Sequence, residues 1–189
     1  MLFRSVLEFA RRKWGLEQRQ VALFASRDLF RLIGESREGT IFINAGYNVS
    51  DATPRMGELS RLQLDAVTPW HDARHDYVTV EMAFEYLKRY KPRVLYLSLD
   101  ETDCWAHDKR YNRVLHMAQY FDRTLERLWQ TLQSMDEYRD RTTLIVSSDH
   151  GRGGELADWF EHGRRVKGDR KSTRLNSSHI QKSRMPSSA

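Results

Sequence analysis

Five residues in the second half of the chain have the types and spacing of metal ligands. Asp103 and His107 are four residues apart, Asp149 and His150 are adjacent, and His162 precedes a glycine at a predicted turn. Carboxylate oxygen and neutral imidazole nitrogen are together a good ligand set for a divalent transition metal. Two carboxylates and three imidazoles are most of the ligands that two ions need, so the pattern predicts a two-metal site.

Each pair also has a simpler interpretation. Asp103 can cap the helix that follows it and leave His107 as a surface residue in the first turn. Asp149 can likewise be the polar end of a strand that caps whatever comes next. Short motifs of this kind also occur by chance, so the elements around them must decide between a metal site and ordinary turns.

Both pairs follow predicted β-strands. Residues 93–100 and residues 142–146 are apolar runs that end in polar, acidic turns. A long helix is predicted between them, from about Tyr111 to Ser134, because apolar residues recur there with a 3.6-residue period. A strand–helix–strand unit of this length is by default a right-handed parallel crossover. We therefore expect both acidic turns at the carboxyl edge of one parallel sheet, where ligands bind in open α/β proteins.

The remaining patterns also alternate between helix and strand. An amphipathic helix is predicted within residues 1–14, short buried strands at 20–26 and 40–44, and a helix at 76–90. Residues 47–69, which contain two prolines, are expected to form a long loop with at most one helical turn. This order predicts an α/β fold, an α/β/α sandwich with a mostly parallel sheet, truncated at both ends.

Composition excludes several classes of protein. A single cysteine, Cys104, rules out an intrachain disulfide framework, and no apolar run is long enough for a membrane helix. The net charge is +5, but residues 169–189 hold five Lys/Arg residues and one acidic residue, so the remainder carries only +1. No basic face is left, and we predict no nucleic-acid binding.

The C-terminal residues predict an artefact. Residues 169–179 and 183–189 look like translations of a sequencing-library adapter, separated by three residues where a sample index would lie. We therefore predict a partial metalloenzyme domain at 1–168 and an artefactual tail at 169–189 that makes few contacts. A natural disordered basic tail is the alternative, although it does not explain both matches.

Residues 93–163 resemble the alkaline phosphatase superfamily, which includes nucleotide pyrophosphatases/phosphodiesterases, sulfatases and cofactor-independent phosphoglycerate mutases. The resemblance is carried by the Asp-x-x-x-His motif at Asp103, the Asp-His-Gly motif at Asp149 and the later His162. It implies a two-metal-dependent hydrolase that acts on a small-molecule phosphate mono- or diester. Zinc is the preferred ion, and manganese, as in the mutase branch, is the alternative.

The same resemblance implies how the ligands are divided. One ion would be held by Asp103, His107 and His162, and the other by Asp149 and His150 together with a further Asp and the nucleophile. Arg152 is a candidate contact to a phosphoryl oxygen, because a guanidinium matches that geometry, or else an exposed loop charge.

The beginning of the chain departs from the family pattern. Members carry an Asp and then a Ser or Thr nucleophile upstream of the region that this chain resembles. Here the first residues look like the helix after that nucleophile, and Ser5 lies inside the helix pattern with no preceding turn. We expect a fragment that lacks the nucleophile and is inactive alone, and an extracytoplasmic location because many relatives are exported.

Other functions remain open at this stage. A sulfatase or a phosphomutase of the same superfamily is the alternative enzyme, although sulfatases bind calcium through more oxygen ligands, and three histidines argue against that. A non-catalytic metal-binding or structural module is the alternative from another class. His71 and His75 have i, i+4 spacing, but no strand positions them, and a surface loop or helix start is the preferred interpretation.

Overall fold

Three parallel strands form the sheet of the first half of the chain. In the computed structural model, which describes residues 5–167 and residue 169, these strands are β1 (Val21–Ala25), β2 (Phe42–Ala45) and β3 (Val94–Ser98). Their order is β2-β1-β3, and every residue of the central strand β1 is buried. An unbroken apolar strand is what burial on both faces requires. All three strands were predicted and are confirmed.

Helices cover both faces of this sheet. Alternate residues of β1 point to opposite faces, so Phe24 packs with Tyr86 on one face while Leu23 packs with Leu7 on the other. The predicted α/β/α arrangement is confirmed within this unit. The helices of the unit are α1 (Val6–Lys13), α2 (Phe30–Ile33), α3 (Pro54–Asp65) and α4 (Asp76–Tyr90), with a 3-10 turn at Gln18–Gln20.

Helix α3 corrects the prediction of a long loop at residues 47–69. Pro54 is the first residue of this helix, where its fixed φ is favourable and its missing N–H costs nothing. The Thr53 hydroxyl accepts a hydrogen bond from the Met56 N–H at 3.1 Å and so caps the helix. Met56, Leu59 and Gln63 form its buried stripe. Pro54, one of the two prolines on which the loop prediction depended, is therefore the start of a helix.

Two further helices follow in sequence. The first compact unit ends at Cys104 and the second begins at Trp105, so the first four residues of α5 (Glu101–His107) belong to the first unit. Helix α6 (Tyr111–Ser134) has the predicted bounds and buries Thr124, Leu128 and Leu132. No helix in the described part of the chain is long and apolar enough to cross a membrane.

The predicted strand at residues 142–146 is wrong. The segment is irregular, and Ile145 is 72% exposed. A strand is stable only when a neighbouring ladder satisfies its backbone N–H and C=O groups, and within residues 5–167 nothing pairs with this segment. The apolar residues of this segment favour a strand, but within the described residues no neighbouring strand is present to pair with it. Residues 170–189 of the predicted tail lie outside the described residues, so the prediction for them stays a prediction. Asp169, the first residue of that predicted tail, does contact the preceding part of the chain, because its carboxylate accepts hydrogen bonds from the Gly151 and Gly163 N–H groups.

Candidate metal centre

Three histidines meet in the second unit of the chain. The Nε2 atom of His162 lies 3.0 Å from the Nε2 atom of His107, which is 55 residues earlier. The ring of His150 stacks on the ring of His162, with 3.8 Å between the centroids and 14° between the planes. The structure therefore brings together all three imidazoles that the sequence proposed as ligands. We call this group the histidine cluster.

The Asp169 carboxylate joins the two turns that carry His150 and His162. Its Oδ1 accepts a hydrogen bond from the Gly151 N–H at 2.8 Å, and its Oδ2 accepts one from the Gly163 N–H at 2.9 Å. Each glycine directly follows a histidine of the cluster. Gly163 has a φ of +109°, a conformation that L side chains rarely adopt, so glycine is required there.

The pKa of the Asp169 carboxyl lies below its ordinary value. Desolvation, the largest single cause, raises it, but the backbone hydrogen bonds from Gly151 and Gly163 and the charges of His150 and His162 together lower it. An ionised Asp169 is therefore the form that holds the two turns together.

The loop between these two turns is closed by backbone contacts. The Arg152 guanidinium donates from Nη1 to the Phe160 carbonyl at 2.7 Å, and the Gly153 N–H donates to the Glu161 carbonyl at 3.1 Å. A Cβ atom at Gly153 would clash with the Asp158 backbone and carboxylate, so only glycine fits. Arg152 thus has a structural role, and its predicted contact to a phosphoryl group stays a prediction.

The nitrogen geometry of the histidine cluster fits a metal ion. The His150 Nδ1 atom lies 2.9 Å from the Gly151 carbonyl oxygen, so Nδ1 carries the proton and Nε2 is the nitrogen suited to bind a metal. Two imidazole nitrogens on one tetrahedral zinc are roughly 3.3 Å apart, given Zn–N bonds of about 2.0 Å. The His107–His162 separation is close to this value.

Asp149 is adjacent to the cluster but is not held by it. Its side chain is 90% exposed, and its Oδ1 accepts a hydrogen bond from the His150 N–H at 3.0 Å. The same oxygen lies 3.7 Å from His150 Nε2. Because the strand predicted before it is absent, no sheet edge positions this carboxylate, and its predicted ligand role is not tested.

Asp103 lies in the first unit, on the first turn of α5. Helical spacing places its side chain on the same face of α5 as that of His107, four residues later. The Asp103 Oδ2 atom is 3.8 Å from Arg27 Nη2. Arg27 also forms a bidentate pair with Asp100, with Nε 3.1 Å from Oδ1 and Nη2 2.9 Å from Oδ2. Arg27 therefore connects the carboxyl ends of β1 and β3.

Two helix N-termini cap each other at this edge of the sheet. The Asp76 carboxylate, at the start of α4, accepts hydrogen bonds from the Asp100 and Glu101 N–H groups at 2.9 and 3.1 Å. In return, the Glu101 carboxylate, at the start of α5, accepts the Asp76 N–H at 2.9 Å and contacts His75 Nδ1 at 3.1 Å. Unpaired N–H groups at both helix starts are thus satisfied, which fixes the direction of α5.

A chain of buried hydrogen bonds connects Asp76 to Arg74. Ser26 Oγ donates to Asp76 Oδ1 at 2.6 Å, Thr79 Oγ1 lies 2.9 Å from Ser26 Oγ, and Arg74 Nε donates to Thr79 Oγ1 at 2.8 Å. Since Ser26 has one proton and gives it to Asp76, the Thr79 hydroxyl donates to Ser26. A buried guanidinium and a buried carboxylate therefore balance each other through two hydroxyl groups.

Burial shifts the pKa values of both charged residues in this hydrogen-bond network, Asp76 and Arg74. It raises the pKa of Asp76 to about 7, against the hydrogen bonds from Ser26 and from the backbone of Asp100 and Glu101, which lower it. It also lowers the pKa of Arg74, while the charge of Asp76 opposes that change. The guanidinium stays protonated at neutral pH, because arginine is not deprotonated in proteins.

The stability of the fold should therefore depend on the protonation of Asp76. Its pKa is raised on folding, so the folded state holds a proton that the unfolded state releases between about pH 4 and pH 7. Stability is thus greatest below pH 4 for this group and falls as pH rises, by up to about 1.4 kcal/mol per pH unit. We expect Asp76→Asn to flatten this dependence in urea unfolding followed by circular dichroism from pH 4 to 8.

The raised pKa of His75, caused first by its bond to Glu101, acts in the same direction above pH 6.5. The charge of Asp76 also raises the pKa of His75, so the comparison is made between about pH 4 and pH 6.5, where His75 is protonated in both the folded and the unfolded state. Parallel pH profiles for the two proteins would contradict this assignment.

Cys104 is not a nucleophile in this arrangement. Its thiol is buried and donates to Asp100 Oδ2 at 3.1 Å. Burial, followed by the charge of Asp100, raises the pKa of this thiol far above neutrality. Ser5 is likewise committed to structure, because its hydroxyl caps α1 by accepting the Glu8 N–H at 3.1 Å. It precedes the helix rather than lying inside it.

Sequence reasoning missed the supporting residues Arg74, Asp76 and Glu101. The signal was present: Asp76 immediately precedes an apolar helical stripe, and Glu101 comes just after a strand. Acidic residues at the starts of two helices indicate capping, although the sequence does not show that they cap each other.

A parallel sheet between helices and a cluster of imidazoles together define an α/β protein with a candidate metal site. A sequence model of the type I phosphodiesterase / nucleotide pyrophosphatase family matches residues 23–173, which include all five predicted ligands. The chain therefore belongs to this family, whose members are phosphoester hydrolases of the alkaline phosphatase superfamily. Neither the curated proteins nor the solved structures gave a match.

Proposed function

We propose that this chain carries the metal-binding residues of a two-metal phosphodiesterase. One observation supports the proposal above the others. His107, His150 and His162 come from three separate segments and meet within contact distance, in a chain that belongs to a phosphodiesterase family.

We assign the residues of the cluster to two ions and to the positioning of their ligands. His107 and His162 would hold one ion through their Nε2 atoms, and His150 would hold the other through its Nε2 atom, with the neighbouring Asp149 as a carboxylate ligand. The Gly151 carbonyl orients His150, and Asp169 holds the turns of His150 and His162 at a fixed spacing. Asp103 belongs with His107 by its place one turn earlier on α5.

The bound ions would neutralise the phosphoryl oxygens and stabilise the attacking and leaving oxygens of an in-line displacement. Imidazole ligands favour zinc, and manganese remains the alternative where carboxylate oxygens predominate. We propose a small-molecule phosphate diester or pyrophosphate as the substrate, in line with the description of the family. The proposed nucleophile is a Ser or Thr that is not among the residues of this chain, as the resemblance to the superfamily implies.

The test is hydrolysis of an aryl phosphate diester by the complete reading frame, measured beside metal content. We expect Asp149→Ala to reduce hydrolysis to background and to lower the bound metal, because an anionic ligand is lost. Asp122→Ala, which removes an exposed carboxylate from α6, is the matched control and should leave both unchanged. Full activity and full metal content in Asp149→Ala would overturn the proposal.

Arg152→Ala separates two roles for this side chain in the same assay. Loss of a contact to the phosphoryl group should lower turnover by roughly 10²-fold while the metal content stays constant. Loss of the bond to the Phe160 carbonyl should instead loosen the loop and lower metal affinity. Arg152→Lys keeps the charge but not the planar fork, so it should not restore turnover.

A further inference from the structure

A cavity of about 310 Å³ lies at the opposite edge of the sheet from Asp100 and Asp103. It is an open pocket between α1 and the segment that leads into β2, whose first residue is Phe42. That segment precedes β2, whereas the acidic residues follow β3. Because the strands are parallel, the cavity lies at the amino ends of the strands and the acidic residues lie at their carboxyl ends. The residues that line the cavity are Glu8, Arg11, Arg12, Ser36, Arg37 and Thr40.

The walls of this cavity are held by specific hydrogen bonds. Ser36 donates to Glu8 Oε1 from both its backbone N–H, at 3.0 Å, and its hydroxyl, at 2.6 Å. The Glu35 carboxylate accepts the N–H groups of Gly39 and Ile41, each at 2.9 Å, which closes the loop. Glu8 is 5% exposed, so its carboxylate serves as a structural tie between α1 and the loop.

The arginines that line the cavity indicate that it binds an anion, because one of them has a buried N–H group without a hydrogen-bond partner among the described residues. The Arg11 Nε atom is buried and has no hydrogen-bond partner among the described residues. A buried donor without a partner costs about 1–3 kcal/mol, and native proteins rarely keep one. The side chain of Arg37 is exposed and makes no hydrogen bond or ion pair within the described part of the chain. Arg11 and Arg37 thus present guanidinium groups to a cavity whose one lining carboxylate, that of Glu8, accepts both hydrogen bonds from Ser36.

We propose that this cavity binds a phosphoryl dianion, either inorganic phosphate or the phosphate of a small monoester. Guanidinium groups match phosphate oxygens in paired, charge-assisted hydrogen bonds. A phosphoryl group offers three oxygens and about two negative charges to Arg11 and Arg37, while a carboxylate offers two oxygens and one charge. The Thr40 hydroxyl donates to the Arg37 carbonyl at 2.6 Å and so holds the loop that carries Arg37. The site is independent of the histidine cluster and of the proposed hydrolysis.

The test is calorimetric titration of inorganic phosphate into the full chain after removal of metal with a chelator. We expect saturable binding that weakens by about tenfold in Arg37→Gln and by about tenfold in Arg11→Gln, since each loses a charge-assisted contact. Arg61→Gln, which neutralises an exposed arginine on α3, is the matched control and should bind like wild type. Glu8→Gln keeps an acceptor for Ser36 but removes the opposing charge, so it should bind phosphate more tightly.

Further arms of the experiment separate this site from others. His150→Ala should leave phosphate binding unchanged, and a loss of binding there would place the anion at the histidine cluster and overturn the proposal. Acetate should bind more weakly than phosphate, and equal binding would contradict the assignment to a phosphoryl group. Arg37 lies on an exposed loop, so its variant should fold. Equal phosphate affinity in wild type and Arg37→Gln would also refute the site.

Discussion

Replacing His162 by alanine is expected to lower the zinc affinity of the chain by at least about 100-fold. Removal of an outer-shell partner of a ligand already costs 10- to 100-fold in affinity, so loss of a ligand should cost no less. His162 contacts both other histidines, with its Nε2 atom 3.0 Å from that of His107 and its ring stacked on that of His150. Competition with a chromophoric zinc chelator at pH 7 measures the change.

His116→Ala is the control for this experiment. His116 is an exposed histidine on α6, so the variant loses one imidazole from the same unit without touching the cluster. It should bind zinc like wild type. If His162→Ala and His116→Ala bind zinc equally well, the cluster is not the zinc site.

Replacing Arg74 by alanine is expected to destabilise the fold by about 3–5 kcal/mol, the cost of breaking a buried charge pair. Arg74 is fully buried, and it donates to Thr79, to the Gln63 side chain at 3.3 Å and to the Asn44 carbonyl at 3.3 Å. The variant leaves those acceptors without a donor, leaves Asp76 as a buried charge without its counterpart and opens a cavity. Urea unfolding followed by circular dichroism gives the free energy of unfolding.

Arg55→Ala provides the comparison for Arg74→Ala. Arg55 forms an exposed pair with Glu58 at 3.0 Å, and such pairs contribute at most about 1 kcal/mol. A destabilisation of Arg74→Ala no greater than that of Arg55→Ala would contradict the account of the buried chain. Arg74→Met, which fills the volume with apolar atoms, should recover part of the loss, because a packed apolar residue removes the cavity.

The sequence predicted the elements whose pattern is determined locally. Strand β1 and helix α6 follow directly from a run of apolar residues and a 3.6-residue stripe. Helix α3 was missed because Pro54 was interpreted by its usual effect inside a helix, although at the first position proline is favourable. The error concerned position, not residue type.

The sequence predicted which residues form the candidate site, but it did not predict the contacts that hold them in place. The spacing of Asp103 and His107 and the pair at His150 depend on motif alone, and these histidines meet His162 in the structure. A strand at residues 142–146 was expected to position His150, but the structure has no strand there. The Asp169 carboxylate holds the turn of His150 instead, through the Gly151 N–H. A tertiary hydrogen bond of this kind leaves no periodic signal in the sequence.

X-ray absorption spectroscopy at the zinc edge tests the central claim most directly, that the histidine cluster binds a divalent ion. The sample is the full chain, loaded with zinc and freed of excess metal by gel filtration. Because three imidazoles are shared by two ions, we predict bound zinc with imidazole nitrogens at about 2.0–2.1 Å, on average about 1.5 per zinc ion and about one per ion in His162→Ala. Zinc surrounded only by oxygen, or no zinc retained on the column, would contradict the claim.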